Sequence, residues 1–141
     1  MEELLKEYYD EMLRCTRCGF CQAACPTYTV LRRESATARG KVQLLLGVVQ
    51  KRLPMSAAVS RHVYTCMDCR SCFQNCPGGV RAYDIFSLAR RALARTEHFP
   101  TQLAEMDRRV ETEHNISGED NANRLLWQNN LEHRPDGLVA K

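Results

Sequence analysis

Eight cysteines fall in two copies of one pattern: Cys15, Cys18, Cys21, Cys25 and then Cys66, Cys69, Cys72, Cys76. Each copy reads C-x2-C-x2-C-x3-C-P and closes on a proline, Pro26 or Pro77. Every cysteine of the second copy stands 51 residues after its counterpart, and none is left over. A chain of 141 residues, 44% hydrophobic and only 7% aromatic, has room for one domain, or a small domain with an extension, around a thin aliphatic core. Such a core needs a supplement, which cysteines provide as disulfides or as metal ligands.

The N-terminal stretch MEELLKEYYDEMLR is acidic and amphipathic, where an export signal is basic and then continuously apolar. The longest apolar run, Leu44 to Val49, is far short of the roughly 20 residues that cross a bilayer. The expectation is a soluble, cytoplasmic protein with no transmembrane segment, in a compartment where thiols stay reduced, which disfavours disulfides. Zinc needs only two C-x2-C pairs and four ligands per ion, and leaves the third cysteine and the proline of each run unexplained. A radical enzyme using S-adenosylmethionine needs a three-cysteine site with an open iron, against which the complete fourfold sets argue.

The full run is the bacterial ferredoxin pattern for [4Fe–4S] clusters. Cysteines at i, i+3 and i+6 on a tight turn direct three sulfurs to three corners of an iron–sulfur cube. In two-cluster ferredoxins the fourth thiolate of each run serves the other cluster. The spacing therefore predicts two [4Fe–4S] clusters, one held by Cys15, Cys18, Cys21 and Cys76, the other by Cys66, Cys69, Cys72 and Cys25. Each proline is expected to end the local helix and turn the chain away after the last ligand.

The net charge of +3 is unevenly spread: residues 1–96 hold 15 Lys+Arg against 8 Asp+Glu, and residues 97–141 hold 5 against 9. Four thiolates on an oxidised cube carry about −2, so two cubes bring the chain to about −1. Much of the basic character is then compensation. Arg14, Arg17, Arg32, Arg33, Arg39, Lys41, Arg70 and Arg81 flank the cysteines in sequence and would ease addition of an electron. No aromatic-basic interleaving accompanies them, so nucleic acid is not an expected partner.

Helical periodicity organises the rest, and no segment alternates at period two. Residues 2–14 place Leu4, Leu5, Tyr8, Met12 and Leu13 on one face, leading to Cys15. Val42, Leu45, Leu46 and Val49 recur at helical spacing behind Ser35 and Thr37, and Ser56 is a candidate N-cap for a helix reaching the second run, with Pro54 between. After Cys76 the Gly78-Gly79 pair makes a turn, and Ile85, Phe86, Ala89, Ala92 and Leu93 trace a further amphipathic helix. The small βαββαβ ferredoxin joins its motifs through strands, whereas the 40 residues between Cys25 and Cys66 read as helices. The fold class expected is all-α: a dicluster helical domain over 1–96 and a helical C-terminal extension over 97–141. His62, His98, His114 and His133 have no metal-site spacing, and there is no Gly-rich nucleotide loop or flavin motif.

The segments CTRCGFCQAACPTYTVLRRESATARGKVQLL and CMDCRSCFQNCPGGVRAYDI resemble the alpha-helical ferredoxin domain shared by three groups of proteins. These are the C-type iron–sulfur subunits of heterodisulfide reductase, the iron–sulfur subunits of glycolate and lactate oxidases, and the C-type subunits of anaerobic glycerol-3-phosphate dehydrogenase. The resemblance covers about residues 12–96 and rests on Cys25-Pro26-Thr27, Ala38-Arg39-Gly40-Lys41 and Cys76-Pro77-x-Gly79-Val80 as well as on spacing. EHNISGEDNANRLLWQNNL, from Glu113 to Leu131, is similar to the segment that leads into the cysteine-rich catalytic half of larger members. The Cys-Cys-Gly motifs of that half do not occur in these residues.

What the resemblance implies is an electron-transfer iron–sulfur subunit of a multi-subunit oxidoreductase, most like the C-type subunit of heterodisulfide reductase. It would relay single electrons between a donor, expected to be a flavoprotein, and a cysteine-rich catalytic partner. Leu125, Leu126, Trp127 and Leu131 would form a docking helix, or pack on their own domain. The alternatives are part of the catalytic unit of a hydroxyacid-oxidising or heterodisulfide-cleaving enzyme, a freely shuttling ferredoxin, and a redox-sensing or zinc-bearing module.

Overall fold

The computed structural model describes residues 5–130, which are helical with no strand among them. The chain divides into two compact units, Met1–Pro100 and Thr101–Lys141.

In the first unit the central element is helix α4, Ala38–Val49, which follows α1 (Tyr9–Leu13), α2 (Phe20–Ala23), α3 (Pro26–Leu31) and a 3-10 turn, Glu34–Ala36. Thr37 starts α4 as its N-cap, the hydroxyl accepting from the Gly40 N–H at 3.0 Å, which satisfies one of the donors that a helix start leaves open. Val42, Leu45, Leu46, Val48 and Val49 are all buried, so α4 is covered on most of its circumference. Gly40 makes this possible: a Cβ there would collide with the Glu34 carbonyl. Around α4 lie α1, α5 (Ala57–Tyr64) and α7 (Ala82–Leu93).

Ser56 caps α5 through the Val59 N–H, and Val59 and Val63 face inward. Helix α7 buries Ile85, Phe86, Leu88, Ala89, Ala92 and Leu93 along one stripe. These aliphatic contacts supply the core; removing a side chain such as Leu45 to the β-carbon would cost about 2–5 kcal/mol. All the periodic positions expected in α4 and α7 are buried, and the chain between α4 and α5 is irregular around Pro54, as expected.

Three details differ from what the pattern of residues predicts. The N-terminal helix is broken by a turn at Glu7 and Tyr8; Leu5 and Met12, seven residues apart, are fully buried, but Leu13 is half exposed. Leu4 lies outside the described residues. Pro26 opens a helix at its first turn, where a missing N–H costs nothing, rather than only ending one.

The third detail is in the second unit. There α8 (Thr101–Glu113) buries no residue. Its Glu105 carboxylate binds Arg108 and Arg109 at 2.8–3.0 Å, which holds its pKa down at about 2. A 3-10 segment follows over Asn121–Asn130, in place of the expected α-helix, with Leu126 and Trp127 exposed. Leu131 lies outside the described residues.

Candidate metal centre

The 51-residue repeat extends from sequence to backbone. In the first run Arg17 and Gly19 are left-handed, with φ of 59° and 94°. Their counterparts Asp68 and Arg70 have φ of 53° and 61°. Two reversals within three residues curl each loop so that its first three cysteines border one hollow, the third from the first turn of a short helix, α2 or its counterpart α6 (Ser71–Gln74). Three of these four left-handed residues carry a Cβ, at roughly 1–2 kcal/mol each. At the fourth, Gly19, the Arg39 guanidinium occupies the place of a Cβ, 2.7 Å away.

Two cavities result. The first, with about 430 Å³ of empty space including the part open to solvent, is lined by Cys15, Cys18, Cys21, Cys72 and Cys76, with Val42, Val80 and Ala82 among its apolar walls. The second, about 390 Å³ on the same measure, is lined by Cys25, Cys66, Cys69 and Cys72 together with Ala38, Lys41 and Phe86. Each run thus sends its fourth cysteine to the cavity of the other run. Ala38 and Cys72 line both cavities and form the wall they share. Helices α2 and α6, which carry Cys21 and Cys72, pack against each other at this wall.

All eight cysteines are free. Cys18 and Cys69, at equivalent positions, are exposed; the other six are partly covered. Among the described residues no three His, Cys, Asp or Glu side chains are close enough to share one metal ion. A tetrahedral zinc site with Zn–S bonds of about 2.3 Å would bring its sulfurs to roughly 3.8 Å from one another. Here the thiols stand around the cavity walls instead.

Polar groups distinguish the thiols. Burial, and then the charges of Cys66, Cys21 and Cys69, push Cys72 up to about 11, and burial also raises Cys21. At the mouths, the Phe20 N–H lowers Cys18 and the Ser71 hydroxyl and N–H lower Cys69. Phe20 and Ser71 are again 51 residues apart. The Val80 N–H donates to the Cys76 sulfur at 3.4 Å. N–H groups aimed at sulfur favour the thiolate, which is the form that binds iron.

Two stays brace the walls of the first cavity. Arg14 donates to the Gly78 carbonyl at 3.0 Å, and Arg39 donates to the Arg17 carbonyl at 3.2 Å while paired with both oxygens of Glu34. At the second cavity Arg90, from α7, donates to the carbonyls of Val63 and Cys66 and lies over the Tyr64 ring. Lys41 is 1% exposed, and its ammonium donates to the Ala36 carbonyl, to which the Cys25 thiol also points. Burial lowers the Lys41 pKa, and ionised Cys66, Cys25 and Cys72 would raise it. By sequence Lys41 is one flanking charge among several. The signal for its burial is its place at helical spacing from Leu45 and Val48.

The donor set, eight thiols on apolar walls with N–H groups facing sulfur, fits iron–sulfur clusters. Comparison with known proteins agrees. Residues 11–80 match the family described as 4Fe-4S dicluster domain. The chain is 37% identical over 82 residues to the glycolate oxidase iron-sulfur subunit of Escherichia coli K12, and 36% over 88 residues to the probable glycolate oxidase iron-sulfur subunit of Bacillus subtilis 168. These matches take in 57% and 60% of the chain and 20% of each relative. It is 28% identical over 100 residues to the C-type iron-sulfur subunit of the CoB–CoM heterodisulfide reductase of Methanopyrus kandleri, over 67% of the chain and 48% of the relative. The chain therefore spans about a fifth of the first two relatives and about half of the third. No solved structure is significantly similar. No helix among the described residues is long and apolar enough to cross a membrane. The chain is an iron–sulfur protein whose residues 11–80 belong to the 4Fe-4S dicluster domain family.

Proposed function

We propose that this chain is an electron-relay subunit of a cytoplasmic multi-subunit oxidoreductase and holds two [4Fe–4S] clusters. Cys15, Cys18, Cys21 and Cys76 would hold the first, and Cys66, Cys69, Cys72 and Cys25 the second. The dicluster domain is taken as residues 1–96 and the extension, 97–141, as the segment that docks on another protein of the complex. A [4Fe–4S] cluster supplies one-electron storage with little change of geometry.

The single observation that carries this reading is the wall shared by the two cavities, built from Ala38 and Cys72. A relay needs two redox groups near each other and one exposed edge on each. Cys18 and Cys69 provide such edges at the two mouths. The chain's own residues exclude water from the inner faces with Val42, Val80 and Phe86, and direct N–H groups toward sulfur.

The donor would be a flavoprotein and the acceptor a cysteine-rich catalytic partner, or the reverse order. The relatives named for glycolate oxidase and heterodisulfide reductase support hydroxyacids or disulfides as the substrate class of the whole complex. The test is electron cycling by the purified chain. It should take electrons from dithionite and return them to ferricyanide, while neither oxidising glycolate nor reducing a disulfide alone. Substrate turnover by the isolated chain would contradict the relay role.

A further inference from the structure

The two cavities differ in the charge that surrounds them. At the first, the cations are neutralised or in water: Arg39 is paired with Glu34 at 2.5 Å, Arg14 with Glu11 at 3.1 Å, and Arg17 is exposed. At the mouth of the second, exposed Arg70, which lies over the Tyr83 ring, is offset by exposed Asp68. Its inner wall is another matter. Lys41 is fully buried there, with the Ala36 carbonyl as its acceptor and no carboxylate paired with it among the described residues. Arg90 stands behind it on backbone carbonyls.

Burying an ammonium without an anion is strongly unfavourable. The arrangement is stable when a lasting negative group faces Lys41, and in this cavity that group is the thiolate-bound cluster. Adding an electron makes a cluster of about −2 more negative, and a fixed positive charge in a low-dielectric wall favours that addition far more than a solvated guanidinium does. We infer that Lys41 is a built-in counter-charge that makes the cluster of Cys25, Cys66, Cys69 and Cys72 the first of the two to be reduced, an inference that rests on the relay reading above. The chain then has a direction: an electron arriving at the Cys18 mouth runs downhill to the Cys69 mouth.

The test is a redox titration of the anaerobically loaded protein followed by electron paramagnetic resonance, with iron and sulfide counted first. C18S and C69S identify the two clusters by the signal that each alters. In the unaltered protein the first electron should enter the cluster marked by C69S; entry into the other overturns the inference, whatever the Lys41 variants do. In Lys41→Met the partition of the electron should move at least tenfold away from that cluster, equivalent to about 59 mV for a one-electron couple. Lys41→Arg, which keeps the charge, should restore most of it. An unchanged partition in fully loaded Lys41→Met overturns the role of Lys41 and leaves the relay reading standing. A chain that binds no clusters overturns both.

Discussion

The Glu11 carboxylate accepts a 2.7 Å hydrogen bond from the backbone N–H of Arg81, 70 residues along the chain. It also pairs with the Arg14 guanidinium. One side chain thus ties the helix before the first cysteine run to the segment after the second, the two stretches that bring Arg14 and Val80 to the cavity lined by Cys15 and Cys76. Burial alone would raise its pKa, but the Arg81 N–H and the two guanidinium groups bring it below the ordinary 4.5. Its contribution is therefore complete above pH 4.5 and is lost as pH falls through the lower folded value. Glu11→Ala should destabilise the protein by about 1.5–3 kcal/mol. The difference in urea midpoint from the unaltered protein should stay constant above pH 4.5 and narrow below it.

Ala38 tests the wall between the cavities. Its side chain faces both, so Ala38→Leu fills space that each occupant needs, and overpacking of this kind is not relieved by the rigid start of α4. Iron content should fall toward about four per chain or less, while circular dichroism of the helices is nearly unchanged. Full iron content in this variant would mean that the cavities are not where the clusters sit.

Gly40 and Thr37 test the junction that sets α4 against the 3-10 turn. A Cβ at position 40 collides with backbone at Glu34, which cannot swing aside. Gly40→Ala should cost about 1–3 kcal/mol. Thr37→Ala, which removes the cap, should cost about 1 kcal/mol, and Thr37→Ser should retain most of it. Thermal unfolding of the loaded protein under anaerobic conditions gives the comparison.

Arg90 positions the start of the second run through the carbonyls of Val63 and Cys66. Arg90→Met takes this donor from the Cys66 carbonyl, while the Val63 carbonyl keeps the Cys66 N–H. Challenge with a chelator should then bleach about half of the visible absorbance several-fold faster than in the unaltered protein. The other half, from the Cys15 cavity, should bleach at the unaltered rate.

The helices of the core were legible because they follow period and caps: Val42, Leu45, Leu46 and Val49 are buried where the pattern put them, and Ser56 caps α5. What was not legible depends on tertiary contacts or on single backbone angles. Leu13 lies about 100° round the helix from Met12, and the core reaches only the Met12 side. The left-handed conformations of Arg17, Asp68 and Arg70 have no local signature, since none of these residues is glycine. Lys41 has a polar side chain on an apolar face, and the groups that meet it, the Ala36 carbonyl and the thiols lining the same cavity, are brought there by tertiary contacts. The cysteine runs announced their chemistry by spacing, but spacing could not show that Ala38 and Cys72 stand between the two cavities.

On the relay reading, two cubes, each in its own cavity, organise this chain. Iron and acid-labile sulfide counted in anaerobically prepared protein test it most directly. About eight of each per chain is the predicted result. Zinc without sulfide, or about four irons or fewer in fully folded protein, would contradict it.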